Sequence, residues 1–329
     1  MAIRRLITGP GVRRLAYPRN ATARWAHLVA GLAVAVALGA SCGGGDSAGP
    51  VATIAPGGTI QVVSAENFWG SLAAQVGGAH VHVTSIVTNP ETDPHDYEAT
   101  PSDARAVASA QYVVHNGFGY DPWMEKLLAS SPSKGRLVLK VQAALGMNAD
   151  DNPHRWYSPA DVRRVIERMA ADFKQIDPGD AAFFDQQLTD LEASGLGEYN
   201  GAIEQIQQRY AGTPIGATES IVSPLAESLG LKMLTPYSFL QAISQGNDPT
   251  AQDKAAVDDQ VARKQIAVLI FNTQNATPDV RRLVDAATAK GIPVVGITET
   301  LVPADATFQD WQVRQLRSLA DALAKATGR

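Results

Sequence analysis

Residues 60–88 read IQVVSAENFWGSLAAQVGGAHVHVTSIVT, and this stretch decides the fold. Residues 60–64 form a β-rich run that predicts a strand, 68–76 carry helical apolar spacing, and 81–88 are β-branched at most positions. The alternation continues outward. Tyr112–His115 and 137–141 read as further strands, with helices expected at 103–110 and 123–128. Pro159–Ile176 is the strongest helix: Ser158 caps it, Pro159 occupies its first turn, and Val162, Val165, Ile166, Met169, Phe173 and Ile176 line one face.

The second half repeats the logic. Strands are expected at 215–218, 232–234, 266–271 and 292–297, with helices at 221–229, 250–264, 278–290 and 309–326. Between the halves, Phe184, Leu188, Leu191, Ile203 and Ile206 keep a partial helical register, which Gly195, Gly197 and Gly201 are placed to interrupt. Strands separated by helices imply parallel sheets covered on both faces. The expected fold is α/β, with two lobes, each a mostly parallel sheet flanked by helices, joined by a long connecting helix. The expected boundaries are a leader at 1–41, a flexible linker at 42–58, a first lobe at 59–178, a connecting helix at 179–210 and a second lobe at 211–329.

The chain has 329 residues, 45% of them hydrophobic and 19% charged, enough to bury a sizeable core in two lobes. The formal charge of −5 hides an asymmetry. Six arginines and no acid lie in residues 1–41; without them 22 basic face 33 acidic side chains, a net of −11. So acidic a body argues against sequence-independent nucleic-acid binding, which needs clustered cations. One cysteine, Cys42, excludes an internal disulfide framework, a Cys-based zinc site and a CxxC redox centre.

Residues 28–38 (LVAGLAVAVAL) form an apolar run of 11 behind the arginines. A bilayer needs ~20 residues of helix, so the run suits the core of a secretory signal. Gly39-Ala40-Ser41, Cys42 and a glycine-rich segment follow. The arrangement resembles a bacterial lipoprotein signal and implies lipidation of Cys42 and an extracytoplasmic, membrane-anchored protein. It departs from the usual signal at Gly39, where a bulky aliphatic residue normally stands; the plainer alternative is a cleaved signal with an incidental cysteine.

Open parallel sheets bind ligands beyond the carboxyl ends of their strands. In the first lobe those positions hold Asp93-Pro94-His95-Asp96-Tyr97-Glu98 and Asn152-Pro153-His154-Arg155-Trp156. In the second they hold Thr218-Glu219-Ser220 and Thr298-Glu299-Thr300. Two imidazoles and two carboxylates facing one cleft suit a divalent first-row transition metal. Each residue also has an ordinary reading: hydrogen-bonded histidines, and acids at helix N-termini interacting with the macrodipole. His80, His82 and His115, at strand ends, are assigned that ordinary role.

The same motifs, together with Asn116-Gly117-Phe118-Gly119, Ala217-Thr218-Glu219-Ser220 and Gly296-Ile297-Thr298-Glu299-Thr300-Leu301, resemble zinc/manganese-type solute-binding proteins of ABC transporters. The likeness runs from about residue 59 to 326, in family order and spacing. It implies a non-enzymatic receptor whose metal ligands are His95, His154, Glu219 and Glu299. Ligating imidazoles usually donate their other N–H to an oxygen, which makes Asn116, Asn152 and Asp93 candidate supports, with plain loop hydrogen bonding as the equal alternative. The expected partners are a membrane permease, the metal ion and the membrane through the lipid anchor, with no nucleic acid and a monomeric chain. Glu299 departs from the family's usual Asp, and the His-rich loop of many zinc-specific members is missing. The missing loop places manganese slightly ahead of zinc as cargo, with iron behind both; the longer arm of Glu299 bears on the cleft geometry, not on that order. The alternative, a metal-dependent hydrolase of the cell envelope, needs a water position and an acid/base. Glu91, Asp93 or Glu98 could nominally serve, but no HExxH or Gly-x-Ser-x-Gly motif appears. An adhesin is compatible with the leader and explains none of the strand-end residues.

Overall fold

A computed structural model describes residues 51–95 and 97–329; the leader and Cys42 lie outside them. Strands β1 (Ile60–Glu66), β2 (Val81–Val87), β3 (Tyr112–His115) and β4 (Leu137–Lys140) form one sheet in the order β2-β1-β3-β4. Every neighbouring pair is parallel. Strands β5 (Pro214–Ala217), β6 (Lys232–Met233), β7 (Val268–Asn272) and β8 (Val294–Ile297) form the second, in the order β6-β5-β7-β8, again all parallel. The expected two-lobe α/β fold is therefore present, and both lobes use one topology. In each, the crossover direction reverses beside the first strand, opening a crevice at the carboxyl ends there.

Sequence patterning follows from where the strands lie. β1 is central and buried on both faces, so its apolar run does not alternate. Val62, Tyr112, Val114 and Leu139 join the main core with the helices Asn67–Gly77 and Pro159–Ile176. Val63, Ala65 and Val113 point the other way, onto Val107, Trp123 and Leu127. β2 is an edge strand and exposes His82 and Thr84.

The Pro159–Ile176 stripe behaves as its spacing predicts. All six apolar residues are at most 1% exposed, and the Ser158 hydroxyl accepts from the Asp161 amide at 3.3 Å. Phe173 packs between Tyr112 and Phe184, with ring centroids 5.0 and 5.7 Å away. Phe173→Ala is expected to cost about 3–5 kcal/mol, read as a lowered urea midpoint at unchanged slope.

The connecting segment is two α-helices, Ala181–Asp190 and Gly197–Tyr210, joined by a π-helical turn, Leu191–Gly195. The interruption falls at Gly195, while Gly197 and Gly201 are carried inside the second helix. Two short helices escaped the sequence reading, Val141–Leu145 and Tyr237–Ser244. The stretch read as a flexible linker is partly tied down, since Ala52 N–H donates to Gly135 O and Ile54 N–H to Ile176 O, each at 3.1 Å.

The C-terminal helix Phe308–Thr327 crosses the connecting helices and reaches the first lobe. Phe308 N–H donates to the Ser71 hydroxyl at 2.9 Å, and the Gln75 and Gln309 amides pair at 3.0 and 2.7 Å. A single apolar core runs from Ile60 through Phe184 and Tyr199 to Leu323. Lobes sharing a core move by small adjustments rather than by wide hinge opening. Among the described residues no helix is long and apolar enough to cross a membrane.

Candidate metal centre

His154 is the most firmly held of the strand-end residues. It follows β4 and the short helix Val141–Leu145, and is 1% exposed. Asn116, at the end of β3, fixes the loop by donating its amide to Pro153 O at 3.0 Å, while Trp69 Nε1 donates to Asn116 Oδ1 at 3.2 Å. Asn152 bridges the lobes: its Nδ2 donates to Ser220 O at 2.8 Å, and its Oδ1 accepts the His154 backbone N–H at 3.0 Å. That oxygen also lies 2.8 Å from His154 Nδ1. Because it is an acceptor, Nδ1 carries the hydrogen and Nε2 keeps its lone pair. Burial, then the field of His95, holds the His154 imidazole pKa well below its ordinary value, so the ring is neutral.

The second lobe supplies two buried carboxylates. Glu219 follows β5 and is 1% exposed; Asn275 Nδ2 donates to its Oε2 at 3.0 Å, and its Oε1 has no hydrogen-bond partner. Burial and then the Glu299 carboxylate push its pKa up to about 8. Glu299 follows β8 and is 8% exposed. Both its oxygens are engaged: the Tyr120 hydroxyl donates to Oε2 and Asn272 Nδ2 to Oε1, each at 2.8 Å. The extra methylene relative to Asp is thus anchored at its tip. Burial also raises the Glu299 pKa, against the opposing field of His95.

His95 differs from these three. It is only half-buried, on the long loop between β2 and the next helix, and packs edge-on against Tyr120 with centroids 4.5 Å apart. Asp93 Oδ1 accepts the His95 backbone N–H at 2.8 Å and shapes that turn. A cavity of about 500 Å³, lined by His95, His154, Asp93, Ser220 and Asn275, opens between the lobes. His95 and His154 therefore line this cavity, while Glu219 and Glu299 are not part of its wall: Glu219 is hydrogen-bonded to the lining residue Asn275, and Glu299 lies in the field of His95. Among the described residues, however, no three of them bring ligand atoms within 4.8 Å of one another.

Sequence reading missed the groups that hold the carboxylates. Asn272 and Asn275 lie at the end of β7, a strand end that carries no ionisable residue to mark it. Tyr120 sits in the tight loop after β3, where Gly117, Phe118 and Gly119 all take positive φ. Asp121 ties this loop down by accepting the Asn116 and Gly117 amides at 2.6 and 2.8 Å, and His115 Nδ1 lies 3.3 Å from the same carboxylate. His115 thus has the hydrogen-bonded role expected of it. Glu66, fully buried at the end of β1, was also passed over. Burial and then the Asp121 carboxylate raise its pKa well above the usual range.

Twin parallel sheets and a helical connection define a two-lobe α/β fold with a polar cleft between its lobes. Residues 62–322 match the family "Zinc-uptake complex component A periplasmic". The match spans most of the chain, which belongs to this family. The manganese-binding lipoprotein MntA of Bacillus subtilis is 24% identical over 247 residues, 70% of this chain and 77% of that one. The MntA of Halalkalibacterium halodurans is 28% identical over 152 residues, 45% of this chain, and the match spans about half (48%) of its length. The periplasmic metal binding protein from Candidatus Liberibacter asiaticus superposes with a TM-score of 0.67 at 20% identity, over 80% of this chain and 98% of that one. A mutant of the laminin-binding adhesin (Lmb) from Streptococcus agalactiae gives 0.66 at 17% identity, over 80% and 99%. At these identities the two structures speak for the fold alone.

Proposed function

We propose that this chain is the extracytoplasmic receptor of an ABC transporter that captures a divalent transition metal, manganese or zinc, between its lobes and passes it to the membrane permease. The observation that carries the reading is the buried Glu219 Oε1, which has no hydrogen-bond partner beside a cleft that also receives the neutral His154 ring. An unpaired buried carboxylate oxygen is costly, and a cation relieves that cost. His95, His154, Glu219 and Glu299 are the proposed ligands. Two carboxylates cancel the charge of a divalent ion, and two neutral imidazoles add nitrogen ligands.

Capture in this scheme has a direction. His154, Glu219 and Glu299 are held by buried hydrogen bonds, whereas His95 rides a half-exposed loop. The ion therefore draws His95 inward, and small shifts of the carboxylates complete the set. Delivery reverses the movement without parting the shared core. The mixed nitrogen and oxygen set is harder than a three-histidine site and favours manganese as cargo, although zinc binds such ligands at least as tightly. Nothing in the comparisons supports the envelope-hydrolase alternative.

The test is uptake of each metal separately, under scarcity, in cells lacking the protein. Loss of manganese or zinc uptake is expected; normal uptake of every divalent metal would overturn the transport role. The membrane anchor is proposed to be lipid on Cys42, with more than one acyl chain because one holds only weakly. Cys42→Ser is then expected to move the protein from the membrane to the soluble fraction. Full retention in the membrane after a high-salt wash would refute that assignment.

A further inference from the structure

A second cluster of metal-ligating groups lies away from the cleft, at the amino end of the first sheet. His80 closes the 3₁₀ turn Gly78–His80, directly before β2. Asp177 caps the end of the helix Pro159–Ile176, and Asp180 ends the turn that leads into the connecting helices. His80 Nδ1 lies 3.0 Å from Asp180 Oδ2 and 3.8 Å from Asp177 Oδ2, and among the described residues these form the one group of three whose ligand atoms lie within 4.8 Å of one another. Ligand atoms held at ~2.1 Å from one ion in tetrahedral array are roughly 3.4 Å apart. The two measured separations bracket that value.

An ion pair alone leaves part of this geometry unexplained. His80 with Asp180 makes an ordinary pair, but Asp177 is 5% exposed and its Oδ2, the atom facing the imidazole, has no hydrogen-bond partner. A buried carboxylate oxygen in that condition seeks a cation. The ring is also set in advance: it packs on Phe183 at 4.2 Å and meets the edge of Phe184 at 5.8 Å between centroids. Ligands whose side chains are locked by packing bind without first being ordered. Beside the two aspartates a cavity of about 370 Å³, bounded by Ile54 and Gly57, gives entry and room for water ligands.

We propose that His80, Asp177 and Asp180 form a second, structural site for a divalent first-row transition metal, independent of the cargo site. One imidazole and two carboxylates neutralise the ion and leave its remaining positions to water. Bound there, the ion clamps the entry to β2, the end of the Pro159–Ile176 helix and the start of the connecting helices. It stabilises the junction of lobe and connection and leaves the cleft untouched.

The experiment uses Mn²⁺ alone, counted by electron paramagnetic resonance on the purified full chain. With the cleft disabled by His95→Ala and Glu219→Gln, one bound Mn²⁺ per chain is expected to remain and to raise the melting temperature. Adding Asp180→Asn, at a side chain 38% exposed, is expected to remove both the ion and the shift. Asp180→Asn by itself should leave cleft binding unchanged, so failure of the cargo site and of this one are separable. As a check that needs no change at the site, Mn²⁺ should broaden the His80 ring resonances of the cleft-disabled protein. A cleft-disabled chain that binds no Mn²⁺ would overturn the proposal, as would binding that survives both Asp180→Asn and His80→Gln.

Discussion

In the absence of metal, Glu219→Gln is expected to melt above the parent protein at pH 8 and higher, while losing the rise in melting temperature that metal produces. The sign follows from proton counting. Glu219 has a folded pKa of about 8 against an ordinary value of 4.5, so between these pH values the folded state holds a proton that the unfolded state has released. Metal-free stability therefore falls as pH rises across that window, by up to about 1.4 kcal/mol per unit. Glutamine keeps an oxygen for Asn275 and has no proton to lose, so the variant lacks this slope. Its amide is also a poor replacement for an anionic metal ligand, so added Zn²⁺ or Mn²⁺ should no longer shift its melting. In the parent protein the ion displaces that proton, so affinity should rise with pH up to about 8. The competing protons sit on the buried carboxylates Glu219 and Glu299, both raised by burial, whereas burial keeps the His154 ring pKa well below its ordinary value. A pH series of melting curves with and without metal checks the whole argument. An unchanged metal response in Glu219→Gln would remove this carboxylate from the site.

His95→Ala is expected to abolish most metal-induced stabilisation while leaving the metal-free protein folded and nearly as stable as the parent. A ligand that binds only the native state adds RT ln(1 + [L]/Kd), about 2.7 kcal/mol at 100 times Kd. For a chain of this size that amounts to several degrees of melting temperature. The variant loses it because a primary ligand is gone. It keeps its fold because His95 is half-exposed and its ring contact is one edge-on approach to Tyr120. Truncating His154 would not separate the two effects, since its ring packs in the core and is bound by Asn152. Thermal melting over a metal titration measures both quantities. A full metal shift in His95→Ala would exclude this histidine, and unfolding without metal would mean that it supports the first lobe.

Much of the architecture was legible because burial writes itself into periodicity. The Pro159–Ile176 helix has the predicted limits because its cap, its N-terminal proline and its apolar stripe agree. The central strands were found because parallel strands buried on both faces carry unbroken β-branched runs. The helix Tyr237–Ser244 was missed because its Phe239, Leu240 and Ile243 give too short a stripe to establish a period. The π-helical turn at Leu191–Gly195 was seen only as a set of glycines, since nothing local says which of them interrupts the connecting helix.

The candidate site divides along the same line. His95, His154, Glu219 and Glu299 were identifiable in sequence because strand-end placement and chemistry are local properties, and the motifs that carry the family likeness surround them. Two parallel lobes and a helical connection between them were determined at the same level, though not the π-helical break within that connection. Tertiary structure alone decided that Asn152 sets the His154 tautomer, that Tyr120 and Asn272 hold Glu299, and that Glu219 keeps a bare buried oxygen. It also decided that His80 meets Asp177 and Asp180, about a hundred residues away. The physical reason is range. Periodicity and turn chemistry act over a few neighbouring residues, whereas pKa shifts, tautomers and converging ligand atoms depend on groups that only the packed core brings together.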